Sequence, residues 1–218
     1  MTLLLASASP ARLETLRAAG FDPSVQVSDV DEDQVLAEAT ARLGPLAPAD
    51  AVLVLARAKA EAVAQEVTGL VVLGCDSMLE LDGTVHGKPA DADEATARWR
   101  AMRGRSGVLH TGHWLIDTRA GRAADESAEG TGTRTALGAT ASTVVHFADL
   151  TDAEIDAYVA TGEPLRVAGA FTVDGLGGPF VERIEGDPHA VVGVSLPLLR
   201  HLLADLGVTV PDLWSACG

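Results

Sequence analysis

Short apolar runs alternate with capped helical segments along this chain, and that alternation limits the possible folds more than any other feature. The clearest case is the start, where the apolar run 2–6 (TLLLA) is followed by Ser9 and Pro10, an N-cap residue and a proline at the first helical position. Interleaved strands and helices bury their apolar faces in an α/β arrangement. We therefore predict one α/β domain over residues 1–218, with two lobes around a cleft.

Caps, turns and periodicity indicate the other elements. The pair Asp82-Gly83 between apolar runs predicts a hairpin of two short strands. Residues 118–134 are predicted as a mobile hairpin loop, and 29–47 is acidic and punctuated by Pro and Gly, with no element predicted. Further strands are predicted at 23–28, 108–117 and 140–150, and helices from Ser9 to Gly20, Asp50 to about Glu66, Asp91 to Met102, Thr151 to about Gly162, and Ser195 to Gly207.

Composition excludes several classes of protein. An apolar fraction of 47% in 218 residues is enough for a core, yet no run approaches the roughly 20 apolar residues of a membrane span. The two cysteines, Cys75 and Cys217, suit a reducing compartment, so a cytoplasmic protein is expected. A net charge of −15 disfavours nucleic acid and anionic membranes as partners.

The basic residues carry a second signal. Fourteen of the sixteen are arginine, and the only lysines are Lys59 and Lys88. Because lysine offers a compact ammonium that arginine does not replace, these two positions are candidates for specific chemistry. Chance placement on the surface is the alternative.

The first candidate site is the turn LASASPAR. Ser7, Ser9 and Arg12 crowd around a helix N-terminus there, and hydroxyls, a guanidinium and free N–H groups suit phosphate oxygens. The alternative is an ordinary capped helix with a solvated arginine.

The second candidate is Asp76, in VVLGCDS. A carboxylate at the end of a buried strand, next to a glycine that permits close backbone approach, suits a magnesium ligand or a water-activating base. A turn-forming aspartate is the alternative. Lys88, in Gly87-Lys88-Pro89, comes near Asp76 if the hairpin folds back.

Further carboxylates are available in two places. The run 31–33 (Asp-Glu-Asp) offers ligands for a hard cation, although such runs are usually solvated. Glu163 and Asp174 flank a glycine-rich segment that either approaches a ligand or simply turns. Walker A, GxGxxG and CxxC patterns are absent from the sequence, and its six histidines lack ligand spacing.

Taken in order, LASASPAR, LARAKA, GCDS, GKP, HTG, ATGEPLRVAGAF, DGLGG and GDPHAVVGVSLPLL resemble the Maf family over nearly the whole chain. The resemblance implies a nucleoside triphosphate pyrophosphatase with a mixed sheet, flanking helices and a cleft between two lobes, similar to inosine triphosphatases. It also implies a divalent cation, Mg²⁺ or Mn²⁺, and a homodimer. By position, Ser7, Arg12, Lys59 and Lys88 match the family's phosphate-contacting set, Glu32 matches an acidic position that, with Asp76, is a metal ligand, and Asp76 matches the proton acceptor.

Three positions depart from the better-known subgroups. Ala11 stands where these have Arg or Trp, Ser77 where Thr or Gln is expected, and Asp174 where Gln or Glu is expected. These are the positions by which the subgroups differ, so the preferred base does not carry over. A carboxylate accepts hydrogen bonds only, and Asp174 therefore favours guanine or other amino-bearing bases over uracil and thymine.

The resemblance leads to a specific reaction. An ordinary or modified nucleoside triphosphate is hydrolysed to the monophosphate and pyrophosphate by water attack at the α phosphorus. One alternative is a nucleotide-binding regulator of septation without turnover, and another is a phosphomonoesterase. The released product, pyrophosphate, orthophosphate or none, distinguishes them.

Overall fold

The computed structural model describes residues 1–119 and 134–214, which form seven strands in one sheet with helices around it. The strands are β1 (Leu3–Ala6), β2 (Ser24–Val25), β3 (Val71–Leu81), β4 (Thr84–His86), β5 (Ser106–Asp117), β6 (Ala136–Phe147) and β7 (Val181–Glu185). The helices are α1 (Pro10–Ala18), α2 (Glu32–Leu43), α3 (Pro48–Ala64), α4 (Ala92–Met102), α5 (Asp152–Ala160), α6 (Pro188–Val192) and α7 (Leu196–Asp205). Short 3₁₀ turns cover Pro164–Arg166, Ala168–Ala170, Gly178–Phe180 and Val210–Leu213.

The sheet is mixed, as predicted. Its order is β2-β1-β3-β5-β6-β7, with β4 paired to the far end of β3. The pairs β1–β2 and β1–β3 are parallel, and the other pairs are antiparallel. The long strands β3, β5 and β6 therefore run the length of the molecule.

Apolar side chains pack on this sheet in three clusters. One joins the start of β3 to α1 and α7, through residues such as Leu73, Leu16 and Leu199. A second joins the end of β3 to α4 and α5, with Leu79, Trp99 and others. The long strands connect these two clusters, which gives the predicted two-lobed arrangement a physical basis. The third cluster lies under α3.

Helix α3 lies unusually close to the sheet. A Cβ atom on Gly74 of β3 would be 2.1 Å from the Ala56 carbonyl oxygen, and one on Gly112 of β5 would be 2.4 Å from the Val52 carbonyl oxygen. Two neighbouring strands thus carry glycine where the helix backbone passes. The glycine beside Asp76 therefore makes room for helix α3.

Most predicted elements are found. The Asp82-Gly83 turn has positive φ at both residues, 53° and 77°, which a two-residue type I′ hairpin requires. The capping box of Thr151 with Glu154 is present, and Ser9, Asp91 and Ser195 cap their helices as expected.

Three predictions were wrong in part. Helix α2 lies within the segment 29–47, where no element was predicted. Asp31 caps this helix, but Ala39 is its one buried residue, so the apolar periodicity that would have indicated a helix is weak. Helix α3 begins at Pro48, and Asp50 lies in its first turn instead of capping it. Strand β3 has eleven residues instead of a few, since Gly74 to Ser77 interrupt its apolar pattern without ending it.

Some predictions fall on residues that the structure does not describe. Residues 120–133 of the predicted loop 118–134 lie outside the described residues, as do residues 215–218 with Cys217. The single domain over 1–218 stays a prediction. Among the described residues, no helix is long and apolar enough to cross a membrane.

The close approach of α3 makes a testable prediction for stability. Gly74→Ala would place a methyl group against helix backbone, and overpacking of this kind costs about 1–3 kcal/mol. We expect a free energy of unfolding at least about 2 kcal/mol lower, or no folded protein, measured by urea denaturation. Gly87→Ala is the matched control, because a Cβ there meets nothing within 4 Å. Equal midpoints for both variants would contradict the packing described here.

Candidate active site

A cleft of about 1050 Å³ opens where the edge of β3 lacks a partner strand. Strand β1 pairs with residues 71–74 of β3 and β4 with residues 79–81, so residues 75–78 lie in the gap between them. This gap also lies between the two large apolar clusters. Every site residue predicted from the sequence lines the cleft: Ser7, Ser9, Ala11, Arg12, Glu32, Lys59, Asp76, Ser77, Lys88 and Asp174.

Lys59 joins the two predicted metal ligands. Its Nζ atom lies 2.6 Å from Oδ1 of Asp76 and 2.8 Å from Oε1 of Glu32. Lys59 reaches them from α3, Glu32 is the first residue of α2, and Asp76 is buried on β3. The ammonium thus sits between two carboxylates in the ligand-free protein.

Burial controls the charge state of Asp76. Removal from water raises the pKa of its carboxyl, and the opposite charges of Lys59 and Arg12 lower it without cancelling that effect. A carboxylate with a raised pKa is a better proton acceptor than a solvated one. Oδ1 receives the Lys59 bond, while Oδ2 receives no hydrogen bond from the described residues.

Arg12 is buried and organises the turn around it. Its Nε donates to the Gly193 carbonyl at 2.8 Å, Nη1 to Ser7 Oγ at 2.9 Å and Nη2 to Ser77 Oγ at 3.0 Å. A guanidinium has five N–H donors, so two are left for a ligand. Arg12 therefore connects the first turn, strand β3 and the segment after α6.

A chain of hydroxyl groups continues from Arg12 into the sheet. Ser77 Oγ accepts from Arg12 and lies 2.9 Å from Thr111 Oγ1, which donates to the Ala190 carbonyl at 2.8 Å. Because Thr111 has one hydroxyl proton and gives it to Ala190, Ser77 must donate to Thr111. The direction of all three bonds is fixed, and Ser77 is held by its neighbours.

The N-terminus of α1 offers fewer donors than the sequence indicated. Pro10 has no N–H, the Arg12 N–H is capped by Ser9 Oγ, and the Ser9 N–H donates to Ser7 Oγ. Within the described part of the chain, Ala11 N–H is the first-turn donor that has no partner. Phosphate oxygens can bind here through that N–H and the serine hydroxyls.

Lys88 and Asp174 are exposed and stand apart from the Lys59 cluster. Neither side chain makes a hydrogen bond or ion pair to the described residues, and Lys88 shares the cleft with Asp76 without contacting it. The Lys88 loop is itself fixed, because the Gly87 carbonyl accepts from buried Arg98 at 2.6 Å and from the Gly169 N–H at 3.0 Å. Lys88 is thus a free cation on an anchored backbone.

Sequence reasoning missed two buried polar residues beside the cleft. Thr111 completes the hydroxyl chain, and His113 accepts from the Ser195 N–H and donates from Nδ1 to the Thr111 carbonyl. Burial lowers the pKa of His113 to about 4, so its ring is neutral at pH 7. The available signal was the polar run His-Thr-Gly-His (110–113) inside an apolar strand.

The described residues supply only some of the ligands that a divalent cation needs. Across residues 1–119 and 134–214, no three His, Cys, Asp or Glu side chains are grouped as a metal site. Asp76 and Glu32 supply two carboxylates, and Mg²⁺ is commonly held by one or two carboxylates together with substrate phosphates. The residues present fit a cation that a phosphate ligand helps to bind.

Comparison with known proteins gives one consistent result. A family profile described as Maf-like protein matches residues 2–206. A nucleoside triphosphate pyrophosphatase of Salinispora tropica is 56% identical, with 99% of this chain and 88% of the relative covered. Proteins of the same name from Leifsonia xyli and Streptomyces coelicolor are 54% and 55% identical, with 100% and 98% of this chain and 99% and 94% of the relatives covered.

One solved structure was also compared. A crystal structure of a nucleoside-triphosphatase, dITP/XTP pyrophosphatase, from Mycobacterium abscessus matches at TM-score 0.32 and 15% identity, with 98% of this chain and 96% of that chain covered.

The hydroxyl chain yields a prediction with an internal control. Thr111→Val leaves the buried Ala190 carbonyl without its donor and Ser77 without its acceptor, which costs about 1–3 kcal/mol of stability. Thr143→Val removes a buried hydroxyl on the neighbouring strand β6, opposite Leu109, where the bond to the Asp187 carbonyl is long, 3.3 Å. Urea unfolding should show the larger loss for Thr111→Val. The same loss of stability in both variants would show that the chain of hydroxyl groups contributes nothing specific to stability.

Proposed function

The chain belongs to the Maf family, and from this premise we propose that it hydrolyses nucleoside triphosphates to the monophosphate and pyrophosphate. The observation that carries the proposal is buried Asp76, which shares the Lys59 ammonium with Glu32, at the stretch of β3 that lies between its pairing with β1 and its pairing with β4. The names of the relatives at 54–56% identity support the same reaction. A cytoplasmic location and a homodimer are part of the proposal and rest on the family resemblance.

The triphosphate binds at the first turn and the Lys88 loop. Ser7 and Ser9 hydroxyls, the Ala11 N–H and the two spare donors of Arg12 lie on one side of the cleft, and the Lys88 ammonium lies on its wall. These groups are held before the substrate arrives, because Arg12 and the Gly87 carbonyl are both anchored. Positioning of this kind lowers the entropic cost of reaching the reactive geometry.

The charge of the cleft supports a requirement for a divalent cation. Its lining has four basic side chains, Arg12, Lys59, Lys88 and Arg166, and five acidic ones, Glu14, Glu32, Asp76, Glu163 and Asp174. A triphosphate adds further negative charge, which this balance does not neutralise. Asp76 and Glu32 hold the cation, Mg²⁺ or Mn²⁺, and its chemistry is to neutralise phosphate charge and polarise the phosphoryl group.

Asp76 activates the attacking water. Its carboxylate accepts a proton while the water oxygen forms a bond to the α phosphorus and the bond from that phosphorus to the bridging oxygen breaks. Pyrophosphate leaves with the bridging oxygen, and the monophosphate remains. Lys59 holds the Asp76 carboxylate in place through its ion pair, and Asp76 and Glu32 are the residues that would hold the cation.

Asp174 reads the base from the segment 172–176 of the cleft lining. Its exposed carboxylate accepts hydrogen bonds only, so it suits the adjacent N1–H and 2-amino donors of guanine. Uracil and thymine present a single N–H between two carbonyl oxygens, which a carboxylate repels. Guanine nucleotides, or others with an amino group at this edge, are therefore the preferred substrates.

The catalytic role of Asp76 is tested by Asp76→Asn, which keeps the shape of the side chain and removes its charge. We expect pyrophosphate release to fall by at least about 10²-fold, the usual contribution of a general base. Asp82→Asn is the control, because that carboxylate lies in the β3–β4 turn and pairs with Arg105. The assay measures pyrophosphate and orthophosphate separately, with Mg²⁺ and with Mn²⁺.

Two outcomes of that assay would count against the proposal. Activity of Asp76→Asn within about tenfold of wild type, or about 1.4 kcal/mol in barrier, removes Asp76 from the chemical step. Orthophosphate as the first product from wild type indicates a phosphomonoesterase, and nucleotide binding without product indicates a regulator.

Base preference is tested by kcat/KM for GTP, 7-methyl-GTP, CTP, UTP and dTTP. Wild type should prefer GTP over UTP, and Asp174→Asn should narrow that ratio by about tenfold, because an amide both donates and accepts. The change should appear mainly in KM. A wild type that prefers UTP or dTTP, with no shift on substitution, would show that Asp174 does not contact the base.

A further inference from the structure

Glu163 is surrounded by hydrogen-bond donors from the loop that carries Asp174. Its Oε1 accepts from Tyr158 Oη at 3.0 Å, Thr172 Oγ1 at 2.6 Å and Gly177 N at 3.1 Å, and its Oε2 accepts from Leu176 N at 3.1 Å. A carboxylate has about four acceptor sites, so three donors crowd Oε1 and one uses part of Oε2. The carboxylate of Glu163 is thus mainly engaged in holding the loop.

The loop around Glu163 contains glycine where the carboxylate and the phenol require it. A Cβ on Gly175 would be 2.6 Å from Glu163 Oε2, and a Cβ on Gly177 would be 2.3 Å from Tyr158 Oη. Both contacts are closer than a Cβ tolerates, so a side chain at either position would push the loop away from the carboxylate. The glycine-rich segment is therefore shaped to wrap around Glu163.

The wrapped loop forms one wall of the cleft. Residues 172–176 all line it, and Phe171, immediately before them, is buried in the cluster of α4 and α5. Asp174 lies between Thr172 and Leu176, both of which are bonded to Glu163. The Asp174 side chain makes no hydrogen bond or ion pair of its own to the described residues. Its position in the cleft is therefore set by the bonds that Glu163 makes to the loop.

We infer that Glu163 is a positioning residue for base selection, which fixes the 172–177 loop and through it the contact between Asp174 and the base. The claim that Glu163 affects base selection rests on the proposed function. The claim that Glu163 fixes the loop rests on the geometry alone. Glutamine cannot replace the carboxylate, because one of its two terminal atoms is an amide that would face a backbone N–H donor.

The charge of Glu163 matches this role. Burial acts to raise the pKa of its carboxyl, but hydrogen bonds from Thr172, Leu176, Tyr158 and Gly177 outweigh burial and lower it. The side chain is ionised throughout the neutral range, so the loop does not loosen with moderate changes of pH.

Glu163→Gln tests the inference with two independent readouts. Hydrogen exchange measured by mass spectrometry should rise at least about tenfold over residues 172–177 and stay unchanged over β3. The ratio of kcat/KM between GTP and UTP should fall by about tenfold through KM, with kcat within about threefold of wild type. Glu182→Gln, at an exposed glutamate of β7, is the matched control and should change neither.

Tyr158→Phe is the second variant, in case Glu163→Gln does not fold. It removes one donor and keeps the ring, which makes edge contacts with Trp99 and Phe180. We expect the same two changes with smaller size. If both variants show the same two changes, the changes come from the loss of loop order and not from the amide that Glu163→Gln introduces.

Each other result overturns a stated part of the inference. Unchanged exchange over 172–177 in Glu163→Gln shows that Glu163 does not order the loop. Faster exchange with an unchanged GTP/UTP ratio shows that loop order does not select the base, and faster exchange across the whole sheet shows a purely structural role. If wild type releases no pyrophosphate from any nucleotide, the proposed function fails and the selection claim with it, while the exchange data still decide the loop claim.

Discussion

The close packing of α3 on the sheet is the constraint on which the site depends. Lys59 is carried by α3, and its ammonium reaches Asp76 at 2.6 Å because Gly74 and Gly112 let the helix backbone lie against β3 and β5. A side chain at either glycine would move the helix outward, and the ion pair with it. The partly buried pair is also costly to break on one side, since the remaining charge would lack compensation. Packing and electrostatics are therefore coupled here. The two glycines set the distance between α3 and the sheet, and the ion pair between Lys59 and Asp76 forms only at a short distance.

The gap in the sheet edge explains why the site is at this point of the fold. Because β1 ends at Ala6 and β4 begins its pairing at Leu79, a short stretch of β3 is open on one side while β5 supports it on the other. A cleft at such a stretch of a central strand is supported by the hydrogen-bonded sheet on one side and is accessible to a ligand on the other. The polar chain from Arg12 through Ser77 to Thr111 fills the position where the two apolar clusters would otherwise meet. Its bonds are directional, so the lobes meet in one arrangement.

The sequence predicted which residues form the site better than it predicted what they contact. Ser9, Thr151 and Ser195 identified their helices because capping is a local property, and the Asp82-Gly83 pair identified its hairpin for the same reason. Helix α2 was missed because a mostly exposed helix has little apolar periodicity. Lys59 was predicted to contact phosphate, and the sequence did not indicate the ion pairs with Asp76 and Glu32 that the structure shows. That contact depends on the separation of α3 and β3, and Thr111 was missed because strand register decides its partners.

A chain with a net charge of −15 can still bind a polyanion, because the charges in the cleft are arranged unlike those of the whole molecule. Of its basic groups there, Lys59 is already engaged by two carboxylates, and Arg12 has given three donors to the protein. The remaining attraction for phosphate comes from Lys88, Arg166, two donors of the Arg12 guanidinium and uncharged N–H and hydroxyl groups. A bare triphosphate would thus meet an environment close to neutral. A triphosphate accompanied by a divalent cation would be matched better, because Asp76 and Glu32 would hold the cation and its charge would neutralise phosphate oxygens. The Lys59 ammonium, which bonds both carboxylates, keeps Asp76 and Glu32 together at one place in the cleft.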